Sequence, residues 1–203
     1  MLRIRIAALA IVAIAALSAF GATSSASAVQ LCKTINCSTT VMTGSFVEAS
    51  LKAGTVARFI GDGTVSTECS TSSFSDEYVA AGTPAKAIFR SFKFASCVGS
   101  TCKVTASVLP WESTITGGGN GTISAISKTG SLFITLSCGE LECEYHQEQI
   151  NMTFKGGTAP TAEMNTVVMP LVVKVPAQAK ACGSQVKWTG TYSITSPTPL
   201  FIV

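Results

Sequence analysis

Val186, Trp188, Gly190, Tyr192 and Ile194 alternate with Lys187, Thr189, Thr191, Ser193 and Thr195. A period of two with one apolar face predicts a β-strand lying over a core, because successive side chains of a strand point to opposite faces. Leu132, Ile134 and Leu136 repeat the pattern, as do Val104, Ala106 and Val108 against Lys103, Thr105 and Ser107. Fainter strand patterns fall near 41–48, 55–60, 64–69, 86–96, 122–128 and 150–155. TVVMPLVVKV, 166–175, is apolar at both parities and predicts a strand buried on both faces. Pro170 within it implies a bulge or an unpaired position, since proline has no N–H for the ladder.

Turn signals separate these runs. IGDGT (60–64) carries the Asp-Gly of a hairpin, while TGGGNGT (116–122), KGGTAPT (155–161) and VPAQAKACGS (175–184) read as connections. STSSFSDEYVAAGTP (70–84) shows neither period clearly and reads as a surface loop or a short helix. No window of 11 or more residues beyond the N-terminal segment holds a helical repeat.

The N-terminus changes the picture. Arg3 and Arg5 precede an apolar run, Ile6–Phe20, broken only by Ser18, and GATSSASA then offers Ala26-Ser27-Ala28 for cleavage. That order is a secretory signal peptide over 1–28, leaving one exported β domain over 29–203. The run is short for the ~20 residues of a membrane span. Without Arg3 and Arg5, 12 basic residues face 11 acidic ones, so no basic patch points to nucleic acid. Charged residues make up 12% of the chain, about half the usual ~25%, so Ser, Thr, Asn and Gly must cover the surface.

Eight cysteines in an exported chain predict disulfides. CKTINC, CVGSTC and CGELEC share one interval, which predicts three local bridges: Cys32–Cys37, Cys97–Cys102 and Cys138–Cys143. Cys69 and Cys182 are then left for each other. In the middle pair, Cys97 and Cys102 fall on opposite faces, so the local bridge there requires a bulge.

SCGELECEY, 137–145, lies beside the only histidine. On a hairpin turning through Gly139–Glu142, Cys138 and Cys143 face each other and share a face with Leu136 and Tyr145. The opposite face carries an acidic ridge, Glu142, Glu144, His146 and Glu148. Zinc on Cys138, Cys143 and His146 would need thiolates that export turns into disulfides. A redox pair would need C-x-x-C at a helix start. The ridge is a candidate for a hard cation, against the plainer reading of a solvated hairpin face. No cofactor is implied.

Trp111, in LPWES, is a candidate sugar-stacking platform with Tyr145, against the alternative of a tryptophan sealing the edge of the core. Trp188 belongs to the apolar face of its strand. Asn36, Asn120 and Asn151 sit in N-x-S/T sequons. The glycines at 117–119 and 121 lack the Lys-Ser/Thr ending of a phosphate loop, and no G-x-S-x-G accompanies His146. A hydrolytic carboxylate pair would have to come from Asp62, Glu68, Asp76, Glu77 and Glu112, and nothing in the spacing selects two.

The alanine-rich leader, the C-x4-C pairs, the LPW after the second pair and the ending CGSQVKWTGTYSITSPTPLFIV resemble a broad group of uncharacterised exported proteins of high-GC actinobacteria. The resemblance implies a secreted all-β domain and brings no activity or catalytic residues. No LPxTG signal appears and VQLC is a poor lipobox, so no covalent anchor is expected.

These patterns together predict an antiparallel two-sheet sandwich stapled by disulfides, with a closed or partly closed barrel as the alternative. About nine to eleven strands would fit, at ~5–6 residues each. The function class expected is an exported non-enzymatic protein, structural or binding a surface ligand. A carbohydrate-binding module is the alternative and a secreted hydrolase the further one. A cell-surface glycan is the partner class considered; nucleic acid is not, nor is a membrane once the leader is removed.

Overall fold

The structure, a computed structural model, describes residues 27–99, 102–118, 120–127, 132–172 and 176–203. Of the expected leader, 1–28, residues 1–26 lie outside these residues. Fourteen strands and one short helix are described: β1 (Leu31–Cys32), β2 (Phe46–Leu51), β3 (Ala57–Gly61), β4 (Ser66–Ala80), β5 (Ala85–Gly99), β6 (Lys103–Ser107), β7 (Trp111–Thr116), β8 (Asn120–Ser127), β9 (Leu132–Cys138), β10 (Leu141–Gln147), β11 (Gln149–Lys155), β12 (Thr161–Val172), α1 (Pro176–Cys182), β13 (Gln185–Ser196) and β14 (Phe201–Ile202). Among the described residues, no helix is long and apolar enough to cross a membrane.

The chain is all-β, and its main sheet closes into a barrel rather than a sandwich. Eight strands form the ring in the order β2, β4, β5, β7, β8, β11, β12, β13 and back to β2, every neighbour antiparallel. Closure satisfies the backbone groups that an edge would leave unpaired. The strand count exceeds expectation because the long strands each serve two neighbours at different heights. β4 pairs with β3 over Ser66–Cys69 and with β2 over Ser73–Glu77. β13 does the same with β3 at 186–189 and β2 at 192–196.

Beyond the ring, these strands continue into a second sheet in the order β5, β4, β3, β13, β12, β10, β9, β6. It begins and ends on β5 and β6, which are consecutive in the chain, with no ladder between them among the described residues. One core runs through both halves. Phe92 lies 5.4 Å from Phe74, 5.7 Å from Tyr192 and 6.2 Å from Trp111 between ring centres. On its other side it meets Trp188 at 5.0 Å and Phe94 at 5.3 Å, and Phe59 stacks on Trp188. Arg90 is the extra residue of a bulge opposite Ser75–Asp76, which resets the alternation so that Phe89 and Phe92 both point inward.

β1 and β14 cap the ring. β1 pairs with β14, Val29 bridges to Gly82, and Leu200 bridges to Gly157. Leu31, Val41, Leu200 and Ile202 are buried beneath this cap.

All eight cysteines are bonded, but three of the four pairings differ from those read off the spacing. Cys32–Cys37 closes locally as expected. The others are Cys69–Cys97, Cys102–Cys138 and Cys143–Cys182, in place of the expected Cys97–Cys102, Cys138–Cys143 and Cys69–Cys182. Register explains the difference. Cys138 pairs with Leu141 across a two-residue turn, not a four-residue one, and Cys143 pairs with Leu136. Gly139, φ 64°, takes the first turn position, where a two-residue hairpin accepts a left-handed glycine. Cys69 and Cys97 are directly opposed on β4 and β5, with Cα atoms 3.8 Å apart. The clash of faces between Cys97 and Cys102 reflects two cysteines that bond to different strands. All three longer bridges are anchored on strands of the second sheet, Cys69–Cys97 between β4 and β5, Cys102–Cys138 from the start of β6 to β9, and Cys143–Cys182 from β10 to α1.

Two further expectations change. Residues 70–84 are mostly strand: β4 runs through Ala80, with Ser72, Phe74, Asp76 and Tyr78 inward. Polar Ser72 and Asp76 at inward positions hide its alternation. The 166–175 stretch, of which 173–175 lie outside the described residues, is not buried on both faces over its described part; Val168 and Pro170 face outward, and the bulge falls between Met164 and Val167 instead of at Pro170.

Candidate functional site

The sugar-stacking candidates lie inside. Trp111 is 1% exposed, and its Nε1 donates to the Ser107 carbonyl at 3.1 Å. Tyr145 is fully buried, and its hydroxyl donates to the Cys182 carbonyl at 2.7 Å, reinforcing the Cys143–Cys182 link between β10 and α1. Burial, and then the Asp62 carboxylate, push the Tyr145 hydroxyl up to about 12. Trp188 is buried, as its strand pattern implied. Neither Trp111 nor Tyr145 leaves a ring face open to a sugar.

Three of the four ridge residues keep their face, while Glu148 lies beyond β10 at the exposed bend into β11. Glu142, Glu144 and His146 oppose Ser137, Thr135 and Phe133, while Cys143 and Tyr145 point inward. Among the described residues, no three His, Cys, Asp or Glu side chains gather as a metal site, and the ridge reads as the outer face of a hairpin. The carboxylates that a hydrolase would draw on are occupied separately. Glu68 pairs with Arg58 at 2.9 Å and Glu77 with Arg90 at 2.6 Å. Asp62 accepts from the backbone N–H groups of Ser184 and Gln185 at 2.7 and 3.1 Å and from the Ser184 hydroxyl, which together hold its carboxyl below the usual range. Asp76 lies in the ring's lumen against Ser113.

A concavity of about 300 Å³ opens where ring and second sheet meet. Its geometry follows from β13 changing partners. Thr189 pairs with Arg58 on β3, Tyr192 pairs with Leu51 on β2, and the turn between those two strands crosses beside Gly190 and Thr191. On the opposite side of β13, Met164 pairs with Gly190 and Val167 with Trp188, so residues 165 and 166 bulge against Thr189. Both neighbours of β13 therefore give way at one level.

The wall is polar: Thr55, Arg58, Glu163, Asn165, Thr189 and Thr191 line it. The turn is fixed in place. Lys52 N–H donates to the Thr191 carbonyl at 2.9 Å, and the Thr55 hydroxyl reaches the Lys52 and Thr191 carbonyls at 2.7 and 3.3 Å. Gly54, φ 78°, supplies the left-handed residue that the turn needs. Glu68 holds the Nε edge of Arg58. The side chain of Glu163, half-buried and opposite Thr191, makes no hydrogen bond or ion pair with a described residue.

This concavity is not legible in the sequence because its residues come from three separate stretches. The one local signal was Gly190, small among large inward residues, where an added Cβ would stand 3.1 Å from the Tyr192 ring. A larger dish of about 520 Å³ beside α1 is built around Asp62, whose oxygens are already engaged in holding the loop. No family model, curated protein or solved structure matches the chain.

Proposed function

We propose that this is an exported, non-enzymatic protein that works by binding at a polar surface. The observation carrying the reading is the partition of side chains across the barrel wall. Tyr78, Trp111, Tyr145, Trp188 and Tyr192 fill the interior. The outward positions of neighbouring strands carry polar groups: Thr116, Thr122, Thr153, the Glu163 carboxylate and Thr191 form one cross-strand row, and Thr114 and Asn151 flank the buried Ser124 in another. A bridged, low-charge scaffold of this kind suits an oxidising compartment, where disulfides persist. It offers hydrogen-bonding groups in fixed positions, with the Trp111 and Tyr145 rings both enclosed.

The test is depletion of the purified protein from solution by insoluble envelope polysaccharide, with released reducing ends followed in the same tubes. Saturable depletion without product supports the reading. No depletion by any polysaccharide, or steady release of product, overturns it.

A further inference from the structure

We infer that the concavity at the β13 junction is a binding site for the end of a neutral saccharide chain; this rests on the surface-binding reading and names its ligand class. Ladder spacing places Arg58 and Glu163 on either side of β13 and two residues out of step, roughly 12 Å apart at Cα. The guanidinium keeps donors beyond the Nε edge that Glu68 takes, so it offers a planar fork at one end. The Glu163 carboxylate accepts hydrogen bonds at the other. Between them stand Thr189 and Thr191, the Asn165 amide, one of whose N–H groups goes to Thr153, and Thr55, whose proton is held within the turn and whose oxygen can still accept.

A ligand with hydroxyls along its whole length satisfies every part of that wall. A free amino acid could answer the two charges, but its side chain would meet hydroxyls throughout. A phosphate or carboxylate ligand would meet an Arg58 already paired with Glu68 and would find no second cation among the described residues of the wall. Preorganisation favours binding, because the Lys52–Thr191 and Thr55–Thr191 hydrogen bonds fix the turn before a ligand arrives. Recognition here needs no aromatic ring, which agrees with the burial of Trp111 and Tyr145.

Amide chemical shifts of the exported protein would be followed during titration with cellobiose, the disaccharide of N-acetylglucosamine, and glycine. Saturable shifts confined to Thr55, Asn165, Gly190 and Thr191 with at least one disaccharide are expected. Glu163→Gln and Asn165→Ala should each weaken that binding about tenfold with melting temperature unchanged. Shifts elsewhere, a response to glycine alone, or no response overturns the inference. Depletion by insoluble polysaccharide separates the two levels. If both variants are depleted as well as the parent, this site is wrong and the broader reading stands; if the parent is not depleted, the broader reading falls as well.

Discussion

Ser113 Oγ lies 3.0 and 3.2 Å from the two carboxylate oxygens of Asp76, inside the closed ring. Asp76 faces Val47 and Phe89 across its ladders and lies between Phe74 and Tyr78 on its own strand. The Glu77–Arg90 pair belongs to the outer face. Desolvation raises the Asp76 carboxyl from 3.8 to about 7, while the single serine hydroxyl opposes the shift.

The sign of the pH effect follows. Between about 4 and 7 the folded state holds a proton that the unfolded state has released, so stability falls as pH rises through that window. The penalty is complete above it, on the order of 4 kcal/mol. Asp76→Asn should therefore melt higher than the parent at pH 8 and close to it at pH 4. Thermal scans of both proteins across that range read the difference, and parallel curves would refute the account.

A non-reducing digest should return Cys32–Cys37, Cys69–Cys97, Cys102–Cys138 and Cys143–Cys182. The longer bridges span 28, 36 and 39 residues and the short one spans 5. Chain entropy assigns roughly 3–4 kcal/mol to each long loop and ~2 kcal/mol to the short one. Paired Cys→Ala replacement at 69 and 97 should thus lower the denaturation midpoint more than replacement at 32 and 37.

Trp111→Ala should cost about 3–5 kcal/mol, the range for emptying a buried aromatic site. Tyr145→Phe removes the donor to the Cys182 carbonyl and should cost ~1–2 kcal/mol. Trp111→Phe, which keeps the ring, should leave polysaccharide depletion unchanged. Loss of depletion in a stably folded Trp111→Phe protein would restore a direct role for that residue.

Gly121 opens the strand after the glycine-rich turn. A Cβ there would lie 2.0 Å from the Thr116 carbonyl oxygen and 3.0 Å from Ile202 Cδ1. Gly121→Ala must push β7 and β8 apart or shift the cap, and overpacking of this kind costs about 1–3 kcal/mol. Calorimetry should show the loss, whereas Gly118→Ala, with nothing within 4 Å, should be nearly neutral.

The elements legible beforehand were those whose inward residues are apolar. β13, with Val186, Trp188, Tyr192 and Ile194 buried, matches its pattern residue for residue. The faces of β9 and β10 were also readable, since a register shift of two leaves parity intact; the shift nevertheless separated Cys138 from Cys143. β4 was obscured because its lumen-facing positions include Ser72, bonded to the Tyr192 hydroxyl at 3.1 Å, and Asp76. Such residues are paid for by partners from distant strands, which no local window contains. The seven residues of α1 are too few for a helical period to emerge, so the stretch read as a loop. The junction concavity was illegible for a related reason: it exists only where β2 and β3 hand over beside a bulge on β12.

The cap joins segments far apart in the chain: Gln30 N–H donates to the Val203 carbonyl at 2.8 Å, and Val203 N–H returns the bond to the Gln30 carbonyl at 3.0 Å. Synthesis delivers residue 30 long before residue 203, so the leading segment must wait for the trailing one before either is sealed. Contacts this far apart in sequence slow the final step of folding. Until it is complete, the apolar mouth of the ring stays wet and open to helper proteins or to the wrong neighbour. A fusion placed directly after Val203 would crowd that last closure, and a spacer there would relieve it.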